Sequence, residues 1–228
     1  MQEPDQPITK KAKRITTGLL AVILVFLLIL FLFWRITDEI VLEQETTFDT
    51  NIHKFLAAYT TPATTKVMLL FTFLGSREFL LPAYTLLAAF FLLYKRNIIQ
   101  ALGIVVIGLI SRGLLLLLKS IFQRHRPLGQ LAENFTGYSY PSGHSFSAFT
   151  FFGLLTYLVW KTDLSTGWKW ILSVIFFLLA AEVAVSRVYL HAHFASDVIA
   201  GFCLSLLWLG IALWLLDKIQ RSRRIKNL

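Results

Sequence analysis

The sequence predicts an all-α integral membrane protein: a bundle of six transmembrane helices, both termini cytoplasmic, with its polar chemistry gathered at the outer face. Three observations carry that expectation. The 228 residues are 56% hydrophobic with a mean hydropathy of +0.66, more than a water-soluble domain uses. Charge-free stretches long enough to cross a hydrocarbon core of ~30 Å recur along the chain. Lys and Arg cluster at the ends of those stretches, the topogenic pattern of membrane proteins. The formal charge of +9 therefore belongs to membrane topology, and nucleic acid is not an expected partner. The single cysteine, Cys203, has no disulfide partner and reads as lipid-facing or core filler.

Residues 1–17 form a basic segment ending in "KKAKR" and a short polar link. Gly18 to Trp34 is free of charge for 17 residues and reads as an uncleaved first span, because "RITDEI" follows it with no small-residue cleavage site. Asp38 to Lys66 is a polar connection in which Phe48, Ile52, Phe55, Leu56 and Tyr59 recur at helical spacing, predicting a helix on the membrane surface. Val67 to Leu74 is too short to span alone, so it reads as a re-entrant or interfacial piece before "GSRE". Five further spans follow: Phe79–Tyr94, Ile98–Leu118, His144–Trp160, Trp168–Val185 and Asp197–Leu216. Residues 18–217 thus make one membrane domain, and 218–228 a basic cytoplasmic tail. One side of this arrangement carries thirteen Lys and Arg residues and the other nine, which places both termini in the cytoplasm. The loop at 120–143 and the turn at 186–196 then share the outer face.

Those two segments hold the chemistry. Lys119 to Pro127 reads K-x6-R-P, Pro141 to His144 reads P-S-G-H, and Ser186 to Asp197 reads S-R-x5-H-x3-D. Three cations, two histidines, a serine, a glycine and a carboxylate suit a phosphoryl group, whose transfer needs fixed donors around three charged oxygens. His193 and Asp197 are four apart and share a helix face, so the carboxylate can fix the imidazole tautomer and leave the other nitrogen free to attack. Ser142 reads as the cap of a helix whose first N–H groups, around Gly143, point at an anion. His144 in that first turn is placed to protonate a departing alkoxide. Lys119, Arg126 and Arg187 would grip phosphate oxygens.

Together the three stretches resemble the signature of the type 2 phosphatidic acid phosphatase superfamily, which also includes vanadium-dependent haloperoxidases. Eleven fixed positions match in order. The resemblance implies a six-helix membrane bundle in the plasma membrane that hydrolyses lipid phosphates without metal or cofactor. It implies His193 as nucleophile, His144 as acid and Asp197 as orienting carboxylate. Lys119, Arg126, Ser142, Gly143 and Arg187 are then the phosphate ligands. Phosphatidylglycerol phosphate, undecaprenyl diphosphate and phosphatidic acid all fit, because the motifs read only the phosphate.

Each motif taken singly has a plainer reading: a basic membrane edge, a helix start, a helix-face hydrogen bond. "HAH" at 191–193 invites a metal, but the neighbouring cations would repel one, and His191 reads as a surface bystander. Arg124 and His125 read as solvated or headgroup-facing. Arg112 and Glu182 read either as an ion pair between neighbouring helices or as the floor of the site. Two other functions stay open: a phosphotransferase with an alcohol or glycan acceptor, and a non-enzymatic anion transporter.

Overall fold

A computed structural model describes the backbone of residues 6–42, 46–132 and 136–226, with side chains over 20–40, 46–132 and 136–223. The first five residues of the basic N-terminal segment and the last two of the tail lie outside the described residues. All described regular structure is helical: α1 (Gln6–Leu42), α2 (Thr47–Ala57), α3 (Pro62–Phe73), α4 (Arg77–Ala89), α5 (Ile98–Phe122), α6 (Gly143–Trp160), α7 (Thr166–Tyr189) and α8 (Ala195–Lys226). A π-helical turn, Phe90–Tyr94, prolongs α4.

Among the described residues, five stretches are long and apolar enough to cross a membrane: Leu20–Ile40, Pro62–Tyr94, Ile98–Phe122, Thr166–Tyr189 and Ala195–Arg223. The remaining expected span is α6, and its place in the bundle explains its milder composition. It is the hub, packed against α7 and α8, with Ala148, Phe151, Phe152 and Leu154 buried. Leu80, Ala180 and Val183 pack on one side of α6. Ile104, Ile107, Leu209 and Ala212 pack on the other. A helix surrounded by protein needs less hydropathy than one facing lipid, and its polar first turn is spent on chemistry.

The expectation for Val67–Leu74 needs correction. Instead of a short separate piece, α3 begins at Pro62 and leads through Leu74–Ser76 straight into α4. Its early threonines look polar in sequence but are satisfied locally. Thr61 and Thr64 form a capping box, and Thr64 Oγ1 lies 2.7 Å from the Tyr189 hydroxyl of α7. The break falls at Gly75, where a Cβ would come within 2.5 Å of Val183 Cγ1 and 3.2 Å of His144 Cβ. Only glycine lets the backbone press that closely on α6 and α7.

The predicted surface helix exists as α2, with Phe48 and Phe55 exposed. Its opposite face carries Asp49, which is fully buried, and His53, whose ring stacks on His191 at 4.8 Å. Asp49 and His53 are therefore turned into the protein, while Asn51 and Lys54 stay exposed.

Candidate active site

Five chain segments meet at one end of the bundle: the last turn of α5, the loop 123–142, the first turn of α6, the end of α7, and the turn 190–194 leading into α8. Each is positioned by a local stop or start signal. Gln123, in the left-handed region at φ 46°, closes α5 just beyond Lys119 and turns the chain toward Arg126. Ser142 caps α6, its hydroxyl accepting from Ser145 N–H and lying 2.9 Å from Ser145 Oγ. Asp197 sits in the first turn of α8 and accepts from Phe194 N–H at 2.9 Å, which pins the start of the helix and the turn before it.

A cavity of about 560 Å³ opens at this junction, and Lys119, Arg126, Gly143, His144, Arg187 and His193 all line it. Both imidazoles thus face a common space. His193 is buried, its Nδ1 3.3 Å from Asp197 Oδ2 and 3.4 Å from Ser139 Oγ. Ser139 Oγ also donates to Asp197 Oδ2. With the carboxylate as acceptor, Nδ1 carries the proton and Nε2 carries the lone pair, accepting from Arg126 Nη1 at 3.3 Å. Burial first, then the positive charges of Arg187, Arg126 and Lys119, hold the His193 pKa well below the usual imidazole value. That direction favours the neutral ring, the form in which an imidazole has a lone pair to offer.

The cations are aimed by neutral acceptors. Lys119 Nζ donates to the carbonyls of Tyr138 and Ser139. Arg126 reaches the carbonyls of Gly137, Thr136 and Ala192 at 3.0, 3.0 and 2.6 Å. Arg187, on the last turn of α7, donates to Thr72 Oγ1 of α3 at 2.6 Å. The carbonyls fix the direction of Lys119 and Arg126 without cancelling their charge, which prepares that wall for an anion. Gly143 lines the same wall, and a Cβ there would meet Leu115 Cδ2 at 2.8 Å.

Two expected residues stand apart from the cavity lining. Asp197 is buried behind His193, where an orienting carboxylate belongs. Ser142 is fully buried, with its hydroxyl engaged in the α6 cap. Gly143 and His144, the next two residues, face the cavity from the helix that Ser142 starts.

Arg124 requires a correction. Far from being solvated, it is 0% exposed. Its Nη1 donates to Asp197 Oδ1 at 2.6 Å and to Ser196 Oγ at 2.8 Å, and its Nη2 to Asp49 Oδ2 at 2.8 Å. The guanidinium also lies 4.1 Å from the Phe194 ring centroid. Asp49 completes the network by accepting from Ser196 N–H at 2.9 Å and from its hydroxyl at 2.7 Å. One buried arginine bridges two buried carboxylates, and the second of them orients His193. His125 is exposed, as expected, and His191 is half-buried against His53, off the cavity.

The ion-pair reading of Arg112 and Glu182 also fails: among the described residues no such pair forms. Arg112 lines the cavity, whereas Glu182, half-buried in α7, does not. Sequence reasoning missed Asp49, Ser139, Ser196, Thr72 and Arg77, the last a further cavity-lining cation. Of these only Arg77 left a signal, as a charge inside an otherwise apolar tract.

The comparisons with known proteins point to one family. The PAP2 superfamily model matches residues 98–221. Phosphatidylglycerophosphatase B of Bacillus subtilis is 32% identical over 177 residues, covering 77% of this chain and 87% of that protein. An undecaprenyl-diphosphatase of Sulfolobus acidocaldarius is 34% identical, covering 78% of this chain and 84% of its own. The crystal structure of a transmembrane PAP2-type phosphatidylglycerolphosphate phosphatase from Bacillus subtilis superposes with a TM-score of 0.76 at 29% identity, over 85% of this chain and 96% of that one.

Proposed function

The chain belongs to the PAP2 superfamily, and from that premise and the shared cavity we propose that it hydrolyses lipid phosphates through a phosphohistidine on His193, without metal. At the coarser level it is a multi-pass membrane phosphatase of lipid phosphates. The observation that carries the finer reading is that the imidazoles of His144 and His193 line the same cavity as three cations.

The phosphate of the lipid sits among Lys119, Arg126 and Arg187 with N–H groups at the start of α6 behind it. The lone pair on His193 Nε2 attacks phosphorus, and the bond to the lipid oxygen breaks. His144 gives that oxygen its proton, and the lipid alcohol or monophosphate leaves. The same His144 then takes a proton from water, the water oxygen attacks phosphorus, and the N–P bond breaks to release inorganic phosphate. Asp197 holds the Nδ1 proton throughout and stabilises the positive charge the ring acquires. Apart from the attacking lone pair of His193, the groups proposed to meet the phosphate are donors and cations, and these supply the charge stabilisation a metal would otherwise bring.

In the same proposal the six crossings are α1, the α3–α4 pair, α5, α6, α7 and α8. Both termini are then cytoplasmic, and the cavity opens at the outer leaflet of the plasma membrane. Phosphatidylglycerol phosphate and undecaprenyl diphosphate, the substrates the relatives are named for, and phosphatidic acid are the candidate substrates.

Purified protein incubated with these lipids in EDTA is expected to release inorganic phosphate without an added acceptor. The His193→Ala variant should lose at least about 10³-fold of that rate. Loss on chelation would remove the metal-free mechanism, a requirement for an acceptor alcohol would favour a phosphotransferase, and activity surviving the substitution would remove the nucleophile.

A further inference from the structure

Two arginines of the cavity wall have no part in the chemistry described so far. Arg77, in the first turn of α4, and Arg112, two turns inward of Lys119 on α5, both line the cavity. At 1.5 Å per residue Arg112 lies ~10 Å from Lys119 along the helix. Among the described residues neither makes an ion pair. Glu78, next to Arg77, does not line the cavity, and neighbours in sequence on a helix face different directions. A charge inside a membrane span is costly and is kept where it faces a cavity and meets a partner.

The two walls read alike from the catalytic end inward. Along α5 the cavity lining runs Lys119, Leu115, Arg112, Ser111, Leu109, Gly108 and Val105. On the facing wall it runs Gly75, which abuts His144, then Arg77, Leu80, Leu81, Tyr84 and Thr85. A layer with two cations therefore separates the catalytic cluster from an uncharged throat, whose Ser111 and Thr85 hydroxyls donate to carbonyls of their own helices. No carboxylate lines the cavity among the described residues, so nothing on its wall compensates Arg77 and Arg112.

We propose that Arg77 and Arg112 form a second anion site that holds a phosphoryl group on the leaving side of the substrate, between the phosphate being cleaved and the lipid chains. This deepens the lipid-phosphatase reading and rests on it: the preferred substrates are lipids with two phosphoryl groups. The second is joined directly in a polyprenyl diphosphate and through a glycerol in phosphatidylglycerol phosphate. The chemistry recognised is the same in both, namely a fixed anion met by a guanidinium fork.

The test is kcat/KM of the full-length protein in micelles for three lipids: undecaprenyl diphosphate, phosphatidylglycerol phosphate and phosphatidic acid, which has a single phosphate. Arg77→Gln and Arg112→Gln should each lower the ratio of a two-phosphate lipid to phosphatidic acid about tenfold, mainly through KM. Arg77→Lys and Arg112→Lys should recover most of it, which a packing defect would not allow. The two-phosphate lipid whose ratio falls further identifies the spacing the site accepts. Equal loss on all three lipids, or an unchanged ratio for both two-phosphate lipids, overturns the second site. If His193→Ala keeps activity on phosphatidic acid, the failure lies with the catalytic reading instead.

Discussion

Two groups of charges sit side by side at the end of the bundle, and they are built in opposite ways. Asp49, Arg124 and Asp197 are all 0% exposed and compensate one another at 2.6 and 2.8 Å. Lys119 and Arg126 are directed by backbone carbonyls, with their charge turned to a cavity. Charge that meets countercharge holds structure together. Charge aimed by neutral acceptors waits for a ligand. Residues that look alike in sequence, such as Arg124 and Arg126 in "RHR", are separated by that distinction alone.

The largest effect on stability is expected from the compensated group. Asp49→Ala or Arg124→Ala leaves a buried charge without its partner and should cost about 3–5 kcal/mol, read from denaturant unfolding in micelles. The double variant should cost much less than the sum of the two. Additive losses would mean that the contact is incidental. A smaller but more specific effect comes from the ligand-facing group. Lys119→Met or Arg126→Gln should lower kcat/KM about 10²–10³-fold while changing unfolding free energy by less than about 2 kcal/mol. If activity and stability fall together in both groups, the contrast is broken.

The third expectation sharpens the comparison through pH. The His193 pKa is held down by burial and by Arg187, Arg126 and Lys119, so the protonated ring is disfavoured in the free protein. Its titration by nitrogen-15 NMR should lie well below pH 6.5, with the neutral form present above it. Removing Lys119 or Arg126 should move the midpoint upward, toward the ordinary value. A midpoint at or above 6.5 in the unaltered protein would contradict the electrostatic picture.

How much of this was legible in sequence depends on what each residue does. His144, His193, Lys119, Arg126, Arg187 and Gly143 were found because the fixed spacing of three short motifs reflects helix ends and a cap, which are local geometry. Arg124 lay inside one of those motifs and was misread, because its burial is decided by Asp49, 75 positions away on α2. Asp49 itself lay in a segment read from its apolar residues as a membrane-surface helix, and its partners Arg124 and Ser196 are 75 and 147 positions away. The α3 helix was shortened by threonines whose partner, Tyr189, is equally remote. The expected span His144–Trp160 corresponds to α6, whose milder hydropathy goes with an environment that is protein on most sides.

The most direct measurement is to quench the protein during turnover of a phosphorus-32-labelled lipid, digest it at alkaline pH, and locate the label by mass spectrometry. An acid-labile phosphoryl group on His193, absent from His193→Ala and persisting longer when His144 is replaced by Asn, is the expected result. Label on His144 instead, or turnover with no labelled histidine in any variant, would contradict an attack by His193 on a phosphate shared with His144.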